Sequence, residues 1–269
     1  MSLTAITSLR RGLAEWAERD ANRRFLERDQ EAQLTASLGD PRRRPQVYVA
    51  AWLLGTWHLG HGLWRVLEGE QAGFVAARTG QALRRSSLLL RERHRRTGVR
   101  GLPFSLLQGA LTSLLALALH DPLAEDLHEL LRKLPDAEFG DDDHLPLFVR
   151  ELLQLRAGQR PAVTARLGPY QEVLAHWHGE PRVFAQRVAD LLELHLQQRQ
   201  AGTAPFDDPA AKVYPFEALA IRHVRDWLGQ ATPKLEHPLL FTNLGQMQPT
   251  TPWPTSDLVR RLERDLGRR

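Results

Sequence analysis

The sequence contains no cysteine, and only two methionines and three tyrosines among 269 residues. Without a thiol the chain forms no disulfide, builds no thiolate metal site and has no cysteine nucleophile. Lysine is scarce as well, confined to Lys133, Lys212 and Lys234, so arginine carries the basic charge. No segment shows sustained period-two alternation with β-branched residues, and no Asn-Gly or Asp-Gly turn joins two apolar runs, which excludes a significant sheet. A glycine-rich phosphate loop, a Gly-x-Ser-x-Gly elbow and a His-Glu-x-x-His helix are all missing, so the commonest catalytic signatures are absent. The N-terminus has no apolar run followed by a small-residue cleavage site, and the expected location is the cytoplasm.

What remains is the composition of a packed protein, with 42% hydrophobic and 25% charged residues. The 36 basic residues exceed the 32 acidic ones by four, a surplus that bears on association rather than on fold. Residues 47–64 and 101–120 carry no charge, yet both are interrupted by polar or glycine residues. They suit helices buried in protein, and no membrane partner is expected.

Helical periodicity runs through most of the chain. Leu9, Leu13 and Trp16 follow i, i+4, i+7 spacing, predicting an amphipathic helix that ends before the break at Gly39-Asp40-Pro41. A second helix is expected over residues 45–67, where Ala51 and Gly55 lie one turn apart and would let a neighbouring helix approach closely. A third is expected over 71–96, a fourth from Pro103 with Leu107, Leu111, Leu114 and Leu115 on one face, and a fifth from Asp121-Pro122. After the acidic segment 136–143 come a helix over 145–157 and helices opened by Pro161, Pro181 and Pro215, with Gly179, Gly202 and Gly229 closing them. Proline-rich residues 229–254 read as irregular. Ser256 then caps a last helix carrying Leu258, Leu262 and Leu266. The expected fold is all-α, a multi-helix bundle of antiparallel helix pairs. Its organisation is a single helical domain over 1–269, or two halves, 1–135 and 144–269, joined by the acidic loop 136–143.

Several clusters offer chemistry. His58 and His61 share a helix face at i, i+3 and can bind a metal if a third ligand joins them, but the tryptophans beside them, Trp57 and Trp64, favour a helix interface. His176 and His178 flank Trp177 on different faces. Asp141, Asp142 and Asp143, with Asp207 and Asp208, invite comparison with helical enzymes that hold magnesium over a diphosphate. Both groups also sit just before expected helices, where acids satisfy free N–H groups. Arg84, Arg85, Arg91, Arg93, Arg95, Arg96 and Arg100 crowd the third helix with Glu92 the only acid among them. They can grip phosphates, but no exposed aromatic residues interleave with them for base stacking. A solvated helix face or a dock for an acidic protein surface is the favoured reading, and nucleic acid the disfavoured one. No catalytic residue, cofactor or metal is assigned.

Two stretches carry a family resemblance. Tyr48-Val49-Ala50-Ala51-Trp52-Leu53-Leu54-Gly55, and Tyr214-Pro215-Phe216-Glu217-Ala218-Leu219-Ala220 followed by Leu228-Gly229 and His237-Pro238-Leu239-Leu240, resemble the helical immunity proteins of bacterial polymorphic-toxin and type VI secretion systems. Trp52, Tyr214 and Glu217 match the recurrent aromatic and acidic positions of that pattern. The resemblance implies a non-enzymatic toxin inhibitor, a helical bundle whose partner is a cognate toxin protein bound by direct contact. The candidate contact residues are Asp141, Asp142, Asp143, Glu217, Phe241 and Trp253. The two alternatives are a magnesium-dependent enzyme using the aspartate groups and a nucleic-acid binder using the arginine-rich helix.

Overall fold

The computed structural model describes residues 2–96, 105–201, 208, 211, 213–250, 252–253 and 256–267. Its longer helices are α1 (Ser2–Glu18), α2 (Gln30–Ser37), α3 (Arg44–Leu67), α4 (Gly73–Arg96) and α5 (Leu106–Ala118). They continue with α6 (Glu125–Arg132), α7 (His144–Arg156), α8 (Pro181–Ala201), α9 (Phe216–Trp227) and α10 (Asp257–Asp265). The fold is all-α, with no strand among the described residues. Among those residues no helix is long and apolar enough to cross a membrane.

Local chemistry explains where the observed helices depart from the expected ones. The first expected helix is interrupted at Arg19, whose extended ψ of 113° separates α1 from a short turn of helix at Asp20–Asn22. The chain then widens into a π-helix over Arg23–Asp29 before α2. Asp121 accepts a hydrogen bond from the Leu123 N–H, at 2.9 Å, and α6 starts only at Glu125. No helix starts at Pro161. Residues 159–164 are irregular and Ala165–Tyr170 is a 3-10 segment, in which Gly168 at φ 52°, ψ −128° followed by Pro169 breaks helical geometry. Pro181 does open α8, Pro215 precedes α9, and Ser256 caps α10 by accepting from the Val259 N–H. Pro103, Gly202, Arg100 and Asp207 lie outside the described residues.

Two compact units divide the chain, and both are discontinuous. The first contains residues 1–9, 106–207 and 213–246, and the second residues 10–105, 208–212 and 247–269. The division does not fall at the acidic loop 136–143, which lies inside the first unit.

In the second unit the central feature is the antiparallel pair α3 and α4. Gly55 faces Gly80 and Gly62 faces Gly73, so backbone meets backbone at two levels. A Cβ at Gly80 would fall 2.3 Å from the Leu59 backbone nitrogen, and one at Gly62 would fall 2.4 Å from that of Ala77. No side chain larger than hydrogen fits at either place. Around this contact Leu34, Tyr48, Leu54, Leu83, Val259 and Leu262 form the apolar core, bringing in α2 and α10. In the first unit α5 is buried from Gly109 to Ala118, Thr112 and Ser113 included. It packs against α7 and α9, while α6 lies on both α5 and α7. The Tyr214 hydroxyl donates to the Ala118 carbonyl at 3.2 Å, fixing the approach to α9.

Candidate protein-binding surface

The arginine-rich helix is not a solvated face. Arg84, Arg85 and Arg91 of α4 are buried, and each has a carboxylate or an aromatic ring against it inside the second unit. Arg84 pairs with Asp208 and lies over the Trp52 ring at 4.2 Å; Arg85 pairs with Glu263 of α10. Arg91 stands over Tyr48 and Trp52, at 5.4 and 5.6 Å. Planar guanidinium groups stack on rings and fork onto carboxylates, so arginine tolerates such sites where lysine would not. Among the described members of the cluster only Arg93, Arg95 and Arg96 are exposed, and the last two share Glu92.

The other sequence candidates separate as well. Asp141 and Asp142 are exposed, and Asp143 spends its carboxylate on the Gly140 N–H at 2.7 Å rather than on the first turn of α7. Asp208 belongs to the second unit and is held by Arg84. Glu217 is buried, its Oε1 lying 2.9 Å from His195 Nδ1, so it has no surface to offer a partner. Phe241 is exposed, whereas Trp253 is half-buried beside Arg78. His61 stacks on Trp57 at 5.2 Å and meets Trp64 at a tilt, 5.4 Å between ring centres. Burial, chiefly, lowers the pKa of both His58 and His61, disfavouring their charged forms. Among the described residues no three His, Cys, Asp or Glu side chains converge on a metal position.

A different surface, on the first unit, combines the properties of a binding site. The C-terminal turn of α7 separates two depressions. The larger, about 600 Å³, is walled by Leu155, Pro161, Val163, Leu174, Trp177 and Leu228, with Arg160, His178 and Gln230 supplying polarity. The smaller, about 270 Å³, is lined by Glu125, His128, Arg132, Arg156 and Trp227. Trp227, at the end of α9, is 61% exposed, and Arg156 lies over its ring at 4.6 Å while bonding Glu125 at 2.8 Å. Arg156 is thereby held rigid beside an open indole.

The larger depression also has unfilled hydrogen-bonding capacity. The buried Trp177 indole N–H and the Gln230 carbonyl oxygen have no partner among the described residues, and Arg160 forms no ion pair there. A buried donor left open costs free energy until an acceptor arrives. The irregular stretch 159–164, where a helix was expected, forms one wall.

Periodicity could not have revealed this surface. Trp227 follows Phe216, Ala220 and Val224 at core spacing, so the pattern places it in the interior. In the fold the buried residues of α9 end at Val224, and its last two residues, Asp226 and Trp227, are exposed. His195 carried no sequence signal because its partner Glu217 lies on another helix. Comparison with family models, with curated proteins and with solved structures gives no match.

Proposed function

We propose that this chain is a non-enzymatic immunity protein that binds a cognate bacterial toxin in the cytoplasm and blocks it. The observation that carries the reading is the pairing of exposed Trp227 with Arg156 between two adjoining depressions. Tryptophan and arginine dominate the energetic centres of protein interfaces, where a rigid apolar ring and a planar cation bury together. A toxin segment seated there would cover Trp227 and enter the apolar depression. The likeness of residues 48–55 and 214–240 to helical immunity proteins gives the partner its class.

The magnesium-enzyme reading receives no support from Asp208, whose carboxylate is occupied by Arg84. The nucleic-acid reading loses Arg84, Arg85 and Arg91 to the interior.

The test is a pull-down with the product of the adjacent gene, joined to growth rescue when that product is expressed. Tight binding with rescue, both lost in Trp227→Ala/Arg156→Ala, supports the proposal. No binding, or rescue indifferent to the double substitution, refutes the surface assignment or the function itself.

A further inference from the structure

The second unit holds a separate pocket at the end where α3 begins and α4 finishes. It measures about 110 Å³ and is lined by Arg44, Arg93 and His94, with Val47 and Leu90 as apolar walls and Gly39, Asp40 and Asp265 completing the rim. Arg44 is exposed and has no carboxylate partner among the described residues. Arg93 spends one N–H on the Asp265 carbonyl at 3.0 Å and leaves its other donors open. Asp40 is already committed, accepting from the Arg42 N–H at 2.9 Å and pairing with Arg43 at 3.6 Å.

Charge accumulates here because α3 and α4 are antiparallel. Arg42 and Arg43 directly precede Arg44, while Arg95 and Arg96 follow Arg93 after His94, and the facing acids are Asp40, Glu92 and Asp265. The local positive field registers on His94. After burial itself, Arg44 and Arg93 are what lower its pKa.

We infer that this pocket receives a carboxylate from an acidic segment of a partner protein, clamped between Arg44 and Arg93. The volume admits one oxyanion group with its stem against Val47 and Leu90. The nearby rings of Tyr48 and Trp52 are covered by Arg91 and Arg84, so neither is open to stack on nucleic-acid bases. The choice of a protein partner rests on the function proposed above; the anion site rests on its own geometry.

Fluorescein-labelled hexaglutamate and a labelled short DNA duplex, titrated by anisotropy at physiological salt, test the inference without any toxin. The peptide is expected to bind, and Arg44→Ala/Arg93→Ala to weaken it about tenfold or more. Arg11→Ala/Arg24→Ala removes the same charge elsewhere in the unit and is expected to leave affinity within about twofold, as for charges outside the contact. Equal losses in the two double variants, or no loss in the first, would overturn the site. Duplex binding tighter than peptide binding, abolished by the first variant, would overturn the protein partner in favour of a nucleic acid. Because both contact arginines are exposed, unchanged thermal melting of the variants separates lost binding from lost folding.

Discussion

Arg84 and Asp208 stand 124 positions apart in the chain and meet as an ion pair hidden from solvent. Breaking such a pair strands a buried charge, at a cost of about 3–5 kcal/mol. Arg84→Met and Asp208→Leu should each lower the urea midpoint by a comparable amount, while the double variant recovers most of the loss. A double variant as unstable as the sum of the singles would show that the two residues act separately.

The glycine contact between α3 and α4 predicts opposite signs for one chemical change at two places. Gly80→Ala drives a methyl group into the Leu59 and Gly55 backbones and should destabilise by about 1–3 kcal/mol, despite alanine's better helix propensity. Gly12→Ala in α1 meets nothing within 4 Å and should stabilise by about 0.5–1 kcal/mol. Thermal melts of the two single variants moving in the same direction would contradict this packing.

Acid should loosen the first unit through His223. Burial first, then His120 and Arg156, depress its pKa to about 4, and the His120 and His223 rings lie 4.5 Å apart. The folded state therefore resists a proton that the unfolded chain accepts near 6.5. Between those values the unfolded state binds more protons, so stability rises with pH. The contribution is fully present above about 6.5 and is lost as pH falls toward 4. The denaturation midpoint of the wild type should drop through that window, and His223→Gln should flatten the drop. Proton NMR should place the His223 titration near 4; a midpoint near 6.5 would remove the argument.

At the proposed interface, Trp227→Ala should raise the dissociation constant of the toxin complex about thirtyfold or more, the loss typical of an anchoring tryptophan. The melting temperature should barely move, since the indole is mostly in water. Phe241→Ala, also exposed but outside both depressions, serves as a control and should leave affinity near the wild-type value.

Local sequence signals proved reliable for the helices and poor for the surfaces. The spacing that predicted helices over 45–67 and 71–96 closely matches α3 and α4, because amphipathic periodicity and proline punctuation act within a few residues. The closeness of Ala51 and Gly55 suggested a near neighbour, but pairing Gly55 with Gly80 requires knowing which helix comes back alongside. The arginines of α4 read as solvent-facing because their counter-charges, Asp208 and Glu263, lie more than a hundred positions away. Glu217 looked available for contact, and only the fold brings His195 beside it. The division into units was equally hidden, since each gathers segments from distant parts of the chain.

That interleaving imposes an order of events during synthesis. Arg85 is joined to the nascent chain 178 residues before Glu263, a delay of about 10–35 s at ordinary translation speeds. Throughout that interval Arg85 lacks its carboxylate, and for the first part of it Arg84 lacks Asp208 as well. The α3 and α4 hairpin can form at once on its glycine seam, but its charged flank stays hydrated until residues 208 and 257–265 arrive. The ion pair of Arg85 with Glu263 can therefore close only after the last segment of this unit has been made, long after α3 and α4 can form.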